Sequence, residues 1–108
     1  MSAPKSGANH LQSHVTALEY EYAQEQANAL GRLGRALEAA LAALASYEAG
    51  TAERGSAWTN LVQDASDALW CFIVQREACG LRDARPVIRE YRVPAQVYAR
   101  MGTFTRRQ

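Results

Sequence analysis

Residues 68–74 read Ala68-Leu69-Trp70-Cys71-Phe72-Ile73-Val74, an unbroken apolar run that we call the apolar belt. An α-helix advances by about 100° per residue, so these side chains point all the way round the helix axis. A helix that is apolar on every side has to be covered by other protein surface. A chain of 108 residues offers little material for that cover. The belt therefore predicts packing against the C-terminal segment, against a second copy, or against both.

The composition favours a single all-helical domain. Ala and Leu are abundant, while the β-branched residues Val, Ile and Thr are sparse. Twelve basic and eleven acidic residues give a net charge of +1, so no strong overall field attracts nucleic acid or anionic lipid. Because no apolar run approaches about 18 residues, we predict no membrane span.

The two cysteines, Cys71 and Cys79, are predicted to be reduced thiols. They lie on one predicted helix with their Cα atoms about 12 Å apart, which is too far for a disulfide bond between them. Reduced thiols are typical of the cytoplasm, and residues 1–12 lack the apolar stretch of a signal peptide. We therefore expect a cytoplasmic protein, with Cys71 buried as a small apolar side chain.

Apolar residues spaced three and four apart, with Gly and Pro at the ends, predict four helices. Their ranges are Ser13–Ala49, Ser56–Cys79, Ala84–Tyr91 and Pro94–Met101. In this division of the chain, residues 1–12 are a disordered tail, residues 13–102 are one helical domain and residues 103–108 are a frayed C-terminus.

The helix lengths predict a long antiparallel helical hairpin. The first helix is about 52 Å long and the second about 35 Å, so the first half of the first helix extends beyond its partner. We predict that one or two short C-terminal helices pack as a cap over this overhang. The overhang carries Glu19, Glu21 and Glu25, and the C-terminal region is rich in Arg, so their charges are complementary.

Two glycines lie inside the first helix, where each costs about 1 kcal/mol relative to Ala. Counting outward from the turn places Gly34 near Phe72 and Gly31 near Gln75. An aromatic ring packed over Gly31 and Gly34 would offset their cost. The alternative is a local bend of the helix without a special partner.

A strip of arginines in the C-terminal region is a candidate contact for phosphate or nucleic acid. Their three-four-three spacing would align the first four on one helical face. Pro86 interrupts the strip and the net charge is close to zero, so we favour docking on Glu19, Glu21 and Glu25, or simple solvation. The candidate residues are Arg82, Arg85, Arg89, Arg92 and Arg100.

Motifs for catalysis or metal binding are weak in this sequence. Ile88–Met101 has the outline of a helix-turn-helix, but Arg92 stands where a glycine is usual. His10 and His14 have the spacing of a helical metal pair, but they supply only two ligands. We predict no enzymatic activity, no cofactor and no metal site.

Several segments together resemble a small bacterial family of unknown function. The resemblance implies a compact helical protein of alphaproteobacterial type and implies no activity. The segments that carry it are Asp67–Asp83, Val87–Pro94, Ala99–Gly102, Leu18–Glu21 and Ala29–Arg35.

These observations favour a non-enzymatic interaction or scaffold protein with an unknown protein partner. We predict a homodimer whose interface includes Leu69, Trp70 and Ile73 of the belt. The alternative is a nucleic-acid-binding module that uses the C-terminal arginines. We rank DNA binding below self-association as a prediction. A small enzyme or a carrier with an apolar pocket beside Trp70 ranks third.

Overall fold

The computed structural model describes residues 6–101, with side chains from residue 11 onward, and these residues form four helices without any strand. The helices are α1 (Ser6–Gly50), α2 (Ser56–Ala78), α3 (Arg85–Glu90) and α4 (Ala95–Arg100). The prediction of an all-α hairpin with short C-terminal helices is confirmed.

The boundaries of α2, α3 and α4 agree with the predicted ranges to within one residue at each end. The start of α1 differs, because the helix begins at Ser6, inside the segment predicted to be a tail (residues 1–12). The predicted fraying of residues 103–108 lies outside the described residues, as do residues 1–5.

α1 and α2 pack along each other and form most of the core. Their apolar residues recur three and four positions apart, which gives each helix one apolar face toward the other. Burying a Leu, Ile or Phe side chain in such a core stabilises the fold by about 1.5–3 kcal/mol. The buried apolar residues are Leu37, Leu44, Val62, Ala65, Leu69, Phe72 and Ile73 from the hairpin, with Val87 and Val97 from α3 and α4.

The C-terminal helices lie over the hairpin itself. The Ser66 hydroxyl of α2 donates to the carbonyl oxygen of Val97 in α4 at 2.9 Å. The Gln96 amide of α4 donates to the Glu48 carboxylate of α1 at 3.4 Å. The prediction that the cap covers the overhang of α1 is therefore wrong. The short link from α2 to α3 turns the chain back along the hairpin, where Val87 and Val97 find apolar surface to pack on.

Two residues with positive φ make these reversals of the chain possible. Gly80 (φ 88°) follows α2, and the Leu81 amide donates back to the Arg76 carbonyl at 2.8 Å. Arg92 (φ 52°) follows α3 with the same pattern, in which the amide of the next residue, Val93, donates to the carbonyl of Ile88 at 3.0 Å. Both ends are Schellman motifs, in which the left-handed residue is usually Gly.

An aromatic cluster covers Gly34, as the register predicted. A β-carbon at Gly34 would lie 3.3 Å from Cε1 of Phe72 and 3.1 Å from the hydroxyl oxygen of Tyr91. The two rings meet edge to face with their centroids 5.4 Å apart. At Gly31, the nearest atom to such a β-carbon is Nη1 of Arg35, at 3.4 Å, so the aromatic cover is limited to Gly34.

Candidate interaction surface

The structure divides the apolar belt between the core and the surface. Leu69 and Ile73 are buried in the hairpin core, whereas 37% of Trp70 is exposed. Among the three residues predicted to form an interface, Trp70 therefore supplies the exposed surface. The predicted burial of Cys71 is wrong, because this thiol lies on the side of α2 that faces away from the core. The belt interface stays a prediction.

The larger uncovered surface is the N-terminal part of α1. Every residue from 11 to 25 is exposed, and we call this segment the arm. Four apolar side chains of the arm are spaced four, three and four residues apart, so they form one stripe along the helix. Their exposed fractions run from 45% to 65%. The stripe consists of Leu11, Val15, Leu18 and Tyr22.

The arm is uncovered because α2 is too short to reach it. Near the end of α2, the side-chain amide of Gln75 donates to the side-chain oxygen of Gln26. Gln26 is also the first half-buried residue along α1 among those whose side chains are described. The hairpin contact therefore ends at the Gln26–Gln75 pair, and the arm projects beyond it.

The acidic residues of the arm do not meet the arginines of the same chain. Glu19, Glu21 and Glu25 are exposed, so the predicted docking of the arginine strip on them is wrong. The arm leaves the hairpin as a straight continuation of α1, while α3 and α4 lie back along α2. In the strip itself, four arginines are exposed and Arg100 is half-buried. The exposed residues are Arg82, Arg85, Arg89 and Arg92.

Asp83 fixes the orientation of Arg85 at the start of α3. The Arg85 guanidinium donates to both carboxylate oxygens of Asp83 at 2.9 Å, and the Arg85 backbone amide donates at 3.0 Å. These side-chain and backbone hydrogen bonds lower the pKa of Asp83 to about 2. The same pairing raises the pKa of Arg85.

A shallow groove lies between α3 and α4. It has a volume of about 300 Å³ and is lined by Arg85, Ile88, Arg89 and Tyr98, which we call the C-terminal groove. Ile88 and Tyr98 supply its apolar surface, and half of Tyr98 is exposed (51%). The groove therefore presents an apolar floor beside two cationic side chains.

Tyr91 lies in a separate cleft, beside Gly34 and Glu38 of α1 and Phe72 of α2. Burial raises the pKa of Tyr91 above its ordinary value of 10.0, and the nearby carboxylates of Glu38 and Glu90 add to the shift. Its hydroxyl packs against Gly34, so we interpret Tyr91 as a residue that stabilises the fold.

Metal-ligating residues do not cluster in the part of the chain that the structure describes, where no group of three or more His, Cys, Asp or Glu could hold an ion. The side chain of His10, one half of the predicted metal pair, lies outside the described residues, and His14 is exposed. Across residues 6–101, no helix combines the length and the apolarity that crossing a membrane requires.

A family model described as a family of unknown function matches residues 7–108, nearly the whole chain. The chain belongs to DUF6665. The resemblance to a family of unknown function is thereby confirmed, and membership of DUF6665 assigns no activity. No curated protein and no solved structure matches the chain.

For this DUF6665 chain, sequence reasoning missed the arm as a candidate interaction surface, because we expected the cap to cover it. The signal was present in the spacing of Leu11, Val15, Leu18 and Tyr22. The C-terminal groove was also missed. Ile88 shares a helix face with Arg85 and Arg89, but only the packing of α4 brings Tyr98 beside them.

Proposed function

We propose that this protein is a non-enzymatic helical interaction protein that associates with a second copy of itself through the arm. The observation that carries the proposal is the exposure of every arm residue, including an apolar stripe of four side chains. Exposed apolar surface of this kind is typical of contact sites between proteins.

The physical argument concerns the stability of the arm helix. A helical segment of about 15 residues without tertiary contacts is marginal in water. Covering its apolar stripe contributes about 25 cal/mol for each Å² of apolar surface removed from water. Association therefore stabilises both the arm helix and the complex.

We also propose that the protein acts in the cytoplasm. Cys71 and Cys79 are free thiols, and the thiol of Cys71 is exposed. Exposed reduced thiols persist in reducing compartments and oxidise readily elsewhere. Rapid alkylation of the thiols in the native cells tests this proposal. We expect only a low fraction of the protein to be disulfide-linked.

Sedimentation equilibrium at micromolar concentration tests self-association. We expect a mass of twice the 11.9 kDa of one chain. Tyr22→Ser removes a stripe residue and should weaken the dimer. Tyr20→Ser is the matched control, because Tyr20 is also exposed (70%) but lies on the opposite side of the arm. A monomer at all concentrations, or equal effects of the two variants, would contradict the proposal.

Nucleic-acid binding is the second candidate function. It is favoured by the exposure of Arg82, Arg85, Arg89 and Arg92. Binding of this kind weakens as salt rises, because phosphate contacts release counterions. Fluorescence anisotropy with a random DNA duplex at low salt tests it. An unchanged anisotropy at micromolar protein would exclude this candidate for duplex DNA.

A further inference from the structure

The arm stripe faces a different direction from the face of α1 that contacts α2. At about 100° per residue, the stripe is rotated by roughly 80° from the line through Gly34, Leu37 and Leu44. Extending that line into the arm leads to mostly polar residues. They are Gln12, Thr16, Glu19, Ala23 and Gln26. The apolar stripe of the arm therefore does not lie on the side of α1 where α2 packs. A partner that covers the stripe contacts the arm from another side.

Carboxylates border the arm stripe on both sides. By the same geometry, Glu19 lies along one edge of the stripe, while Glu21 and Glu25 lie along the other. All three are exposed. A matching surface needs an apolar floor for the stripe and cationic side chains beside it.

The C-terminal groove of the same sequence has this character. Ile88 and Tyr98 form its apolar surface, and the Arg85 and Arg89 side chains border it. Both arginines are exposed, and Arg85 is already oriented by its two hydrogen bonds to Asp83. The arm of one chain does not touch its own groove, since every arm residue is exposed.

The α3 side of the groove lies near the end of the hairpin from which the arm projects. The arm projects past the end of α2, and α3 begins a few residues after that end, where Arg76 donates to the Asp83 carbonyl at 2.9 Å. Two copies that meet end to end and antiparallel would each place an arm, about 22 Å long, alongside the groove of the other. Such a contact is reciprocal and closes as a two-fold dimer.

Resting on the self-association proposed above, we propose that the arm of each copy docks in the C-terminal groove of a second copy. The stripe packs on Ile88 and Tyr98, and the arm carboxylates lie beside Arg85 and Arg89. The dimer is then specified by an acidic arm and a basic groove.

Charge reversal at the two surfaces tests this docking. The arm variant carries Glu19→Arg, Glu21→Arg and Glu25→Arg, and the groove variant carries Arg85→Glu and Arg89→Glu. All five positions are exposed, so both variants should keep the circular dichroism of the native chain. Each variant alone sets like charges against each other, and we expect dimerisation at least about tenfold weaker than in the native chain.

Mixing the two variants in equal amounts is the decisive measurement. In the mixed dimer, the reversed arm meets the reversed groove and the native arm meets the native groove, so both contacts are complementary again. Native mass spectrometry should show the heterodimer as the main dimer, and raised salt should weaken it.

The outcomes separate this docking from self-association itself. A native chain that stays monomeric overturns both proposals. If the native chain dimerises and either reversal variant dimerises equally well, the docking is wrong while self-association stands. Failure of the mixture to form a heterodimer, when each variant alone is folded and monomeric, also overturns the docking.

Discussion

The hydroxyl oxygen of Ser66 lies 2.9 Å from the carbonyl oxygen of Val97 and joins α4 to α2 inside the core. Ser66 is fully buried, and its hydroxyl also lies 2.8 Å from the carbonyl of Val62 in the preceding turn. The single hydroxyl proton is thus shared between two acceptors. The Val97 carbonyl is near the end of a six-residue helix, so a side-chain donor replaces the backbone donor that a longer helix would supply.

Ser66→Ala should therefore lower the free energy of unfolding by about 1–2 kcal/mol, because a buried carbonyl loses its donor. Urea denaturation followed by circular dichroism measures the effect. Ser46→Ala is the matched control, since Ser46 is exposed on α1, and its effect should stay within about 0.5 kcal/mol. Equal stabilities of the two variants would show that the Ser66–Val97 bond contributes nothing to stability.

Gly34→Leu should destabilise the protein by about 1–3 kcal/mol, because Phe72 and Tyr91 leave no room for a large side chain. Gly31→Ala should instead stabilise it by up to about 1 kcal/mol, since the nearest atom belongs to the flexible Arg35 side chain. Thermal melts at low protein concentration compare the two variants. A higher melting temperature for Gly34→Leu would contradict the packing that we describe at Gly34.

Arg92→Gly should stabilise the fold by up to about 1 kcal/mol, because a non-glycine residue at φ 52° is strained. Gly80→Ala is the converse variant. It places a β-carbon at φ 88° and should destabilise by a similar amount. Both positions are exposed, so differences in burial do not complicate the comparison. If Arg92→Gly lowers the melting temperature, the Arg92 side chain makes a stabilising contact that outweighs the backbone strain.

The carboxyl group of Asp83 should titrate well below the usual range for Asp. Its pKa is about 2 in the folded chain against an ordinary 3.8, so its contribution to stability is present above pH 3.8 and is lost as the pH falls toward 2. An NMR pH titration of the Asp83 carboxyl measures this directly. In Arg85→Gln the pKa should rise toward 3.8, and a native value already near 3.8 would contradict the Asp83–Arg85 pairing.

Sequence reasoning predicted the hairpin well, because its signals are local. The glycines at the ends of helices and the three-four spacing of Leu30, Leu33, Leu37, Leu41 and Leu44 determine the helices and their facing sides. The predicted proximity of Gly34 and Phe72 is confirmed, since a short turn lets one count from it to both residues. Gln75, which the same count places near Gly31, instead donates to Gln26. Because their signals are also local, α3 and α4 were predicted almost to the residue.

The position of the cap could not be predicted from lengths alone. We placed it on the overhang because that surface lacked cover, but the chain returns along the hairpin and buries Val87 and Val97 there. The prediction of which α2 side chains are buried was wrong for a similar reason. Cys71 and Leu69 are equally apolar, and only the directions of α1 and α4 around α2 decide which of them is buried.

The continuity of α1 gives one helix two very different local stabilities. From Leu30 to Leu44, its backbone is protected by the hairpin core, whereas residues 11–25 gain nothing from tertiary packing. The hairpin nucleates the helix, but each further residue toward the N-terminus adds little free energy. Amide hydrogens of residues 11–25 should therefore exchange with solvent many times faster than those of the core segment in dilute solution. If the arm docks in a second copy, this difference in exchange rate shrinks as the protein concentration rises. The length of the ordered helix then depends on the protein concentration.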